Sequence, residues 1–129
     1  PGRPLRATRL AVPTTLMLYA LEPAVAAAFE RAVDRLSRAG AQIVTLDVPP
    51  LADLAPLQVN GGFASCESWA WHRHRLATHE AGYDRRVVTR IRRGMAMSAA
   101  DYIDLQKARA AWIARMHAAL RGFDAALSP

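Results

Sequence analysis

The side chains most capable of chemistry lie in the second half of this sequence. His72, His74 and His79 invite a metal reading. Positions two apart on a helix face different directions, so His72 and His74 cannot grip one ion together. No carboxylate stands three or four residues from His72, the spacing that a His-Glu-x-x-His site uses. The spacing favours solvated helix-face histidines, and no metal or other cofactor is expected. Cys66 could serve as a thiol nucleophile, but a reactive thiolate needs a positioned cationic partner and access. Set between small residues, it reads as a buried small hydrophobe. Gly61-Gly62-Phe63-Ala64-Ser65 has neither the Gly-x-Ser-x-Gly of a serine elbow nor the Gly-Lys-Ser/Thr of a phosphate loop, and reads as close helix packing. Asp101 and Asp104 are helix neighbours. Asp101 reads as a helix cap and Asp104 as wet-face, so no acid–base pair is expected. The residues alone therefore name no catalytic group.

Arginines offer more. Arg85, Arg86, Arg90, Arg92 and Arg93 form one local cluster, in which Arg90 and Arg93 share a helix face beside Ile91. A guanidinium fork suits a carboxylate. The alternative is a structural or solvated ion pair. Seventeen basic residues, of which Lys107 is the sole lysine, leave a net charge of +6. Basic charge can mark a polyanion partner, but here it is scattered and not interleaved with aromatics, so nucleic acid is not the expected partner.

The elements that must position these groups read as α/β. Thr8–Val12 forms a short apolar run stopped by Pro13. Pro23 opens an amphipathic helix bearing Val25, Phe29, Val33 and Leu36, and Gly40 closes it. Ala41–Val48 is rich in β-branched residues and ends at Pro49-Pro50. Strand, helix and strand make one right-handed parallel βαβ unit. Leu51 to about His79 reads as helical, with Gly61-Gly62 as its weak point. Asp84 caps a short helix through Arg93, closed by Gly94. Ser98 and Asp101 have capping-box spacing at the head of a helix that runs to Leu120. Phe123–Leu127 reads as a third strand. The expected architecture is a βαβ unit, several helices and a final strand, the helices covering an incomplete sheet. It is read as one fragment or domain over 1–129.

Hydrophobic residues make up 52% of the 129 positions and charged ones 22%, a globular balance. No apolar run reaches the roughly 20 residues that span a bilayer, so no membrane partner is expected. A single cysteine fits a reducing, cytoplasmic setting. Pro1 stands where an initiating methionine would, and a strand-like run meets Pro129. Both ends read as cut from a larger chain.

Taken in order, these stretches resemble the amidase-signature family beyond its catalytic core. The resemblance rests on Leu5–Pro13, the Pro23–Gly40 helix and Ala41–Pro50. Ala64-Ser65-Cys66-Glu67-Ser68, Tyr83-Asp84, Arg90-Ile91-x-x-Gly94, Ser98-Ala99 with Asp101-Tyr102, Arg109 and Phe123–Pro129 extend it. It covers nearly the whole chain, through the ordered set and not through any single motif. It implies an enzyme that hydrolyses or transfers amide groups, with a small-molecule amide as substrate. The family's Ser–cis-Ser–Lys triad has no counterpart here, since Lys107 sits mid-helix, away from any Gly/Ser-rich stretch. Catalytic residues would then belong to the remainder of the parent amidase chain. In the family's glutamyl- and aspartyl-tRNA amidotransferase branch, the arginine of Arg-Ile-x-x-Gly holds the glutamine α-carboxylate, which implies substrate binding by Arg90. That branch has a tyrosine where this chain has Asn60.

Two functional classes stay open on the sequence: a pocket-shaping segment of an amidase, or a stand-alone α/β binding or interaction module. The first implies strand edges and aromatic helix faces, such as Trp69, Trp71 and Trp112, shaped to meet other protein. The isolated chain is therefore expected to self-associate. Light scattering over a concentration series checks this, and a clean monomer at high concentration would favour the module.

Overall fold

The computed structural model describes residues 4–129, without the side chains of Pro56, Val59 and Asn60. The chain divides into two compact units, one formed by residues through Ala52 together with Ala114–Pro129, the other by Asp53–Ile113.

The first unit is built on a parallel sheet in the order β2-β1-β3. Strand β1 (Arg9–Pro13) lies in the middle, between β2 (Gln42–Leu46) and β3 (Ala125–Ala126). Leu10 faces Ile43 on one side and Ala125 on the other. A strand flanked on both sides is withdrawn from water, which is why its residues form a continuous apolar run. Leu10, Ala11, Val12 and Pro13 are accordingly buried, whereas β2 is only partly so. Helix α1 (Pro23–Arg38) makes the crossover from β1 to β2, with Pro23 in its first turn and Gly40 at C′ with φ +97°. That left-handed conformation stops the helix at little steric cost. The expected βαβ unit is thus present.

β1 is as long as its run, displaced by one residue onto Pro13, whereas β2 and β3 are shorter than theirs. β2 ends at Leu46 because the next residues bond elsewhere. Asp47 accepts from the Thr15 hydroxyl, and the Thr15 Oγ1 in turn accepts from the Val48 amide at 2.9 Å. β3 is reduced to two residues because Asp124 is occupied with Arg9. The Asp124 carboxylate accepts from the Arg9 amide at 2.7 Å, and the Asp124 amide donates to the Arg9 carbonyl at 2.8 Å. The Arg9 guanidinium also lies 4.5 Å from the centre of the Phe123 ring, a cation–π contact.

The second unit is helical. Its core is Leu76 of α2 (Gly62–His79) with Val88 and Ile91 of α3 (Arg85–Arg93), and Trp69 and Tyr83 pack against it. One helical stretch from Leu51 is replaced by 3₁₀ turns over Pro49–Gly61, with α2 starting only at Gly62. Gly61 and Gly62 have φ of +84° and +56°, values that interrupt a right-handed helix. Trp71 is 83% exposed, an aromatic that this core does not enclose.

Both predicted caps form. The Asp84 side chain accepts from the Arg86 amide at 2.7 Å. At the head of α4 (Ala99–Ala119) the Ser98 Oγ accepts from the Asp101 amide at 3.1 Å, while the Asp101 carboxylate accepts from the Ser98 amide at 2.9 Å. The Ser98 side chain, then its backbone amide, hold the Asp101 carboxyl below the usual carboxylate range. A folded-state pKa below the unfolded value stabilises above the unfolded value, about 3.9 for Asp, and is lost as pH falls through the folded one. Helix content followed by far-UV circular dichroism should therefore drop below about pH 4. Asp101→Asn should lower the thermal midpoint at neutral pH and flatten that acid limb. An unchanged acid limb in the variant would count against the cap.

Candidate functional site

The five clustered arginines take up different duties once α3 folds. Val88 and Ile91 turn into the core, leaving the arginines on the exposed faces. The Arg86 guanidinium pairs with Asp84 at 3.2 Å, and Arg92 pairs with Glu80. The Arg86 side chain is the main reason the Asp84 carboxyl titrates below its ordinary range, with the charge of Arg90 a smaller contributor. Arg90 itself is exposed and, among the described residues, enters no ion pair or hydrogen bond. Arg93, one turn further on, borders a cavity of about 430 Å³ with Gln58, Gly61 and Ala96. Arg90 and Arg93 do share a face beside buried Ile91. Only Arg93 lines this cavity.

The position of that face is set by Ser65, which is buried, and by two glycines against it. A Cβ on Gly61 would stand 1.9 Å from the Ser65 Oγ, and one on Gly94 would stand 2.1 Å from the Ser65 carbonyl oxygen. Gly94 is therefore not the left-handed cap that its place after α3 suggests. Its φ is −66°, and it is glycine because the α2 backbone passes too close for a side chain. The weak point at Gly61-Gly62 is likewise a place of close packing.

The other chemical candidates separate. The His72 ring Nδ1 lies 3.0 Å from the Tyr83 hydroxyl, with the two rings edge to face at 5.7 Å. His74 is exposed, and the His79 ring Nδ1 lies 2.7 Å from the Thr78 hydroxyl. Among the described residues no three His, Cys, Asp or Glu side chains gather as metal ligands. Cys66 is partly exposed and not the buried hydrophobe expected, because it is Ser65 and not Cys66 that this turn of α2 turns inward. Asp101 is spent on its cap, and Asp104 meets Lys107 at 3.2 Å on an exposed face.

Two cavities had no sequence signal. In the first unit, about 750 Å³ opens between α1 and the sheet, bordered by Val12, Leu21, Phe29, Val33 and Ile43, with Glu30 at its edge. Helix α1 correspondingly buries no residue fully. In the second unit, about 470 Å³ lies between α2 and α4, bordered by Phe63, Glu67, Tyr102, Gln106, Arg109 and Ile113. The Phe63 and Tyr102 rings meet edge on at 5.6 Å, and the Arg109 guanidinium stands 6.0 Å from the Phe63 ring centre. These groups come from helix turns distant in sequence, so only packing assembles them.

The parallel sheet with its helical crossover and the helical unit are found together in known proteins. The amidase family pattern matches residues 2–129, and this chain belongs to that family. It is similar to an amidase of Pseudomonas putida, 28% identical over 108 residues, which are 84% of this chain and 23% of that protein. It is also similar to 2-amino-5-chloromuconic acid deaminase of Comamonas testosteroni, 32% identical over 95 residues, 74% of this chain and 21% of that protein. Among solved structures, Kluyveromyces lactis allophanate hydrolase superposes with a TM-score of 0.79 at 26% identity, over 95% of this chain and 21% of its own. An amidase crystal structure superposes with a TM-score of 0.80 at 24% identity, over 98% of this chain and 28% of its own, a likeness of fold. The fold is accordingly part of the amidase-signature fold. The chain spans about a quarter or less of the length of the curated relatives it matches. Among the described residues no helix is long and apolar enough to cross a membrane.

The Ser65–Gly94 contact is open to a direct test. Gly94→Ala forces a Cβ into backbone and should cost about 1–3 kcal/mol, the usual range for overpacking. Urea unfolding measures it, and a variant as stable as the parent would mean that α2 and α3 are not in this register.

Proposed function

We propose that this chain is the substrate-pocket part of an enzyme that hydrolyses or transfers amide groups, with Arg90 binding a substrate carboxylate and the reacting groups supplied from outside these residues. The observation that carries this reading is the state of Arg90. Its neighbours Arg86 and Arg92 are both engaged by carboxylates, while Arg90 is exposed and unpaired among the described residues. Ile91 in the core and Gly94 against Ser65 hold the backbone on its C-terminal side, so the fork projects from a rigid helix and not from a loop. An unpaired guanidinium on such a support can accept a carboxylate through two parallel N–H donors. Family membership supplies the reaction class, and the names of the relatives, an amidase, a deaminase and an allophanate hydrolase, agree with carbon–nitrogen bond cleavage.

Glutamine-dependent amide transfer in a tRNA-linked subunit is the narrower form of this reading. Arg90 would then hold the glutamine α-carboxylate, as Arg90-Ile91-x-x-Gly94 suggests. Asn60, which takes the place of that branch's tyrosine, has its side chain outside the described residues.

In the full-length enzyme, Arg90→Ala should lower kcat/KM for carboxylate-bearing amides about 10- to 100-fold, the equivalent of one charge-assisted hydrogen bond. Neutral amides should change little. Steady-state kinetics on matched acid and neutral substrates decide it, and equal losses on both would reduce Arg90 to a structural role.

A further inference from the structure

Several opposite charges on this protein pair with near neighbours in sequence. Asp34 pairs with Arg38 at 2.5 Å, Asp84 with Arg86 at 3.2 Å and Asp104 with Lys107 at 3.2 Å. Glu67 of α2 and Arg109 of α4 depart from that pattern. Both border the same cavity of about 470 Å³, yet neither pairs with the other or forms a hydrogen bond or ion pair among the described residues. The guanidinium rests near the face of Phe63, with Gln106 one turn before it on α4. Phe63, Tyr102, Ala110 and Ile113 supply an apolar lining beside the two charges. A cavity of this size falls in the range of small-molecule sites, which are mostly apolar with a few polar groups that fix orientation.

We propose that this cavity binds a small zwitterion of the α-amino acid type with an apolar side chain, its ammonium facing Glu67 and its carboxylate facing Arg109. A simple anion would satisfy Arg109 but set a like charge before Glu67, and a simple cation would do the reverse. Like charges brought together in a binding site are penalised. A ligand carrying both charges avoids either penalty. Arg109 provides the planar donor fork that a carboxylate takes. Gln106 can donate to the carboxylate or accept from the ammonium, and the Tyr102 hydroxyl can do either. The side chain of the ligand then lies against Phe63, Tyr102 and Ile113. Both charged groups reach solvent, so entry requires no rearrangement. This site is separate from the carboxylate role given to Arg90 and does not rest on it.

The experiment is calorimetric titration of the full-length protein with phenylalanine, N-acetylphenylalanine and phenylalaninamide. The unmodified amino acid should bind saturably, and each derivative, lacking one charge, should bind about tenfold more weakly. Glu67→Gln should weaken phenylalanine but leave N-acetylphenylalanine unchanged, since that ligand offers no ammonium. Arg109→Gln should weaken phenylalanine but leave phenylalaninamide unchanged, and Arg109→Lys should restore part of the loss. The ligand series on the unaltered protein stands even if a variant fails to fold. Equal binding of all three compounds, or no saturable binding of phenylalanine, would overturn the proposal. So would a double-mutant cycle showing that Glu67 and Arg109 stabilise the unliganded protein as a pair.

Discussion

Strand β1 is hydrogen-bonded along both edges, to β2 on one side and to β3 on the other, and this double ladder constrains the rest of the chain. Its two partners lie at very different separations, since Leu10 pairs with Ile43 through a short helical crossover and with Ala125 near the far end of the chain. Everything between Leu46 and Ala125 is therefore an excursion that must return to the sheet. Parallel pairing across such a separation gives no local reward during folding, because loop closure precedes any contact. The Arg9–Asp124 bonds and the stacking of Arg9 on Phe123 strengthen the return. They add polar and cation–π contacts where the strand itself contributes only two residues.

Within the excursion a second constraint acts, the approach of α2 to the end of α3 at Ser65. Gly94 permits it, because a Cβ there would run into the backbone of Ser65 and Cys66. The result is that α3 is fixed at its C-terminal end by packing and at its N-terminal end by the Asp84 cap. Helix α3 is short and strongly basic, a sequence with little reason to be helical alone. Held at both ends, it presents Arg90 and Arg93 as rigid donors while Arg86 and Arg92 are neutralised locally. The net charge of +6 is thus less informative than its distribution. Two of the five clustered arginines are engaged by nearby carboxylates, Arg86 by Asp84 and Arg92 by Glu80.

Where the sequence was legible, a local physical rule was at work. Pro23 and Gly40 bound α1, Asp84 and Ser98–Asp101 cap their helices, and the β-branched run after Gly40 pairs as a parallel strand. Each depends on residues a few positions apart. For β2 and β3 the hydrophobic runs overstated strand length because a run marks burial, whereas a strand needs a ladder partner. Asp47 and Val48 turn toward Thr15, and Asp124 serves Arg9. The step from 3₁₀ turns to α2 at Gly61-Gly62 was visible only as a weak point, since glycine permits a break without requiring one.

The sequence by itself determined the α/β class, the crossover, the helix caps and the amidase-family order of motifs, because all of these are carried by residue type and short spacing. Tertiary structure decided which arginines are engaged and that Gly94 serves close approach instead of a left-handed cap. It also decided that His72 partners Tyr83 and that Glu67 and Arg109 face one cavity without pairing. Each of these turns on distances between side chains or backbone atoms from different turns and helices. Such distances are set by how the helices pack and not by the periodicity within any one of them.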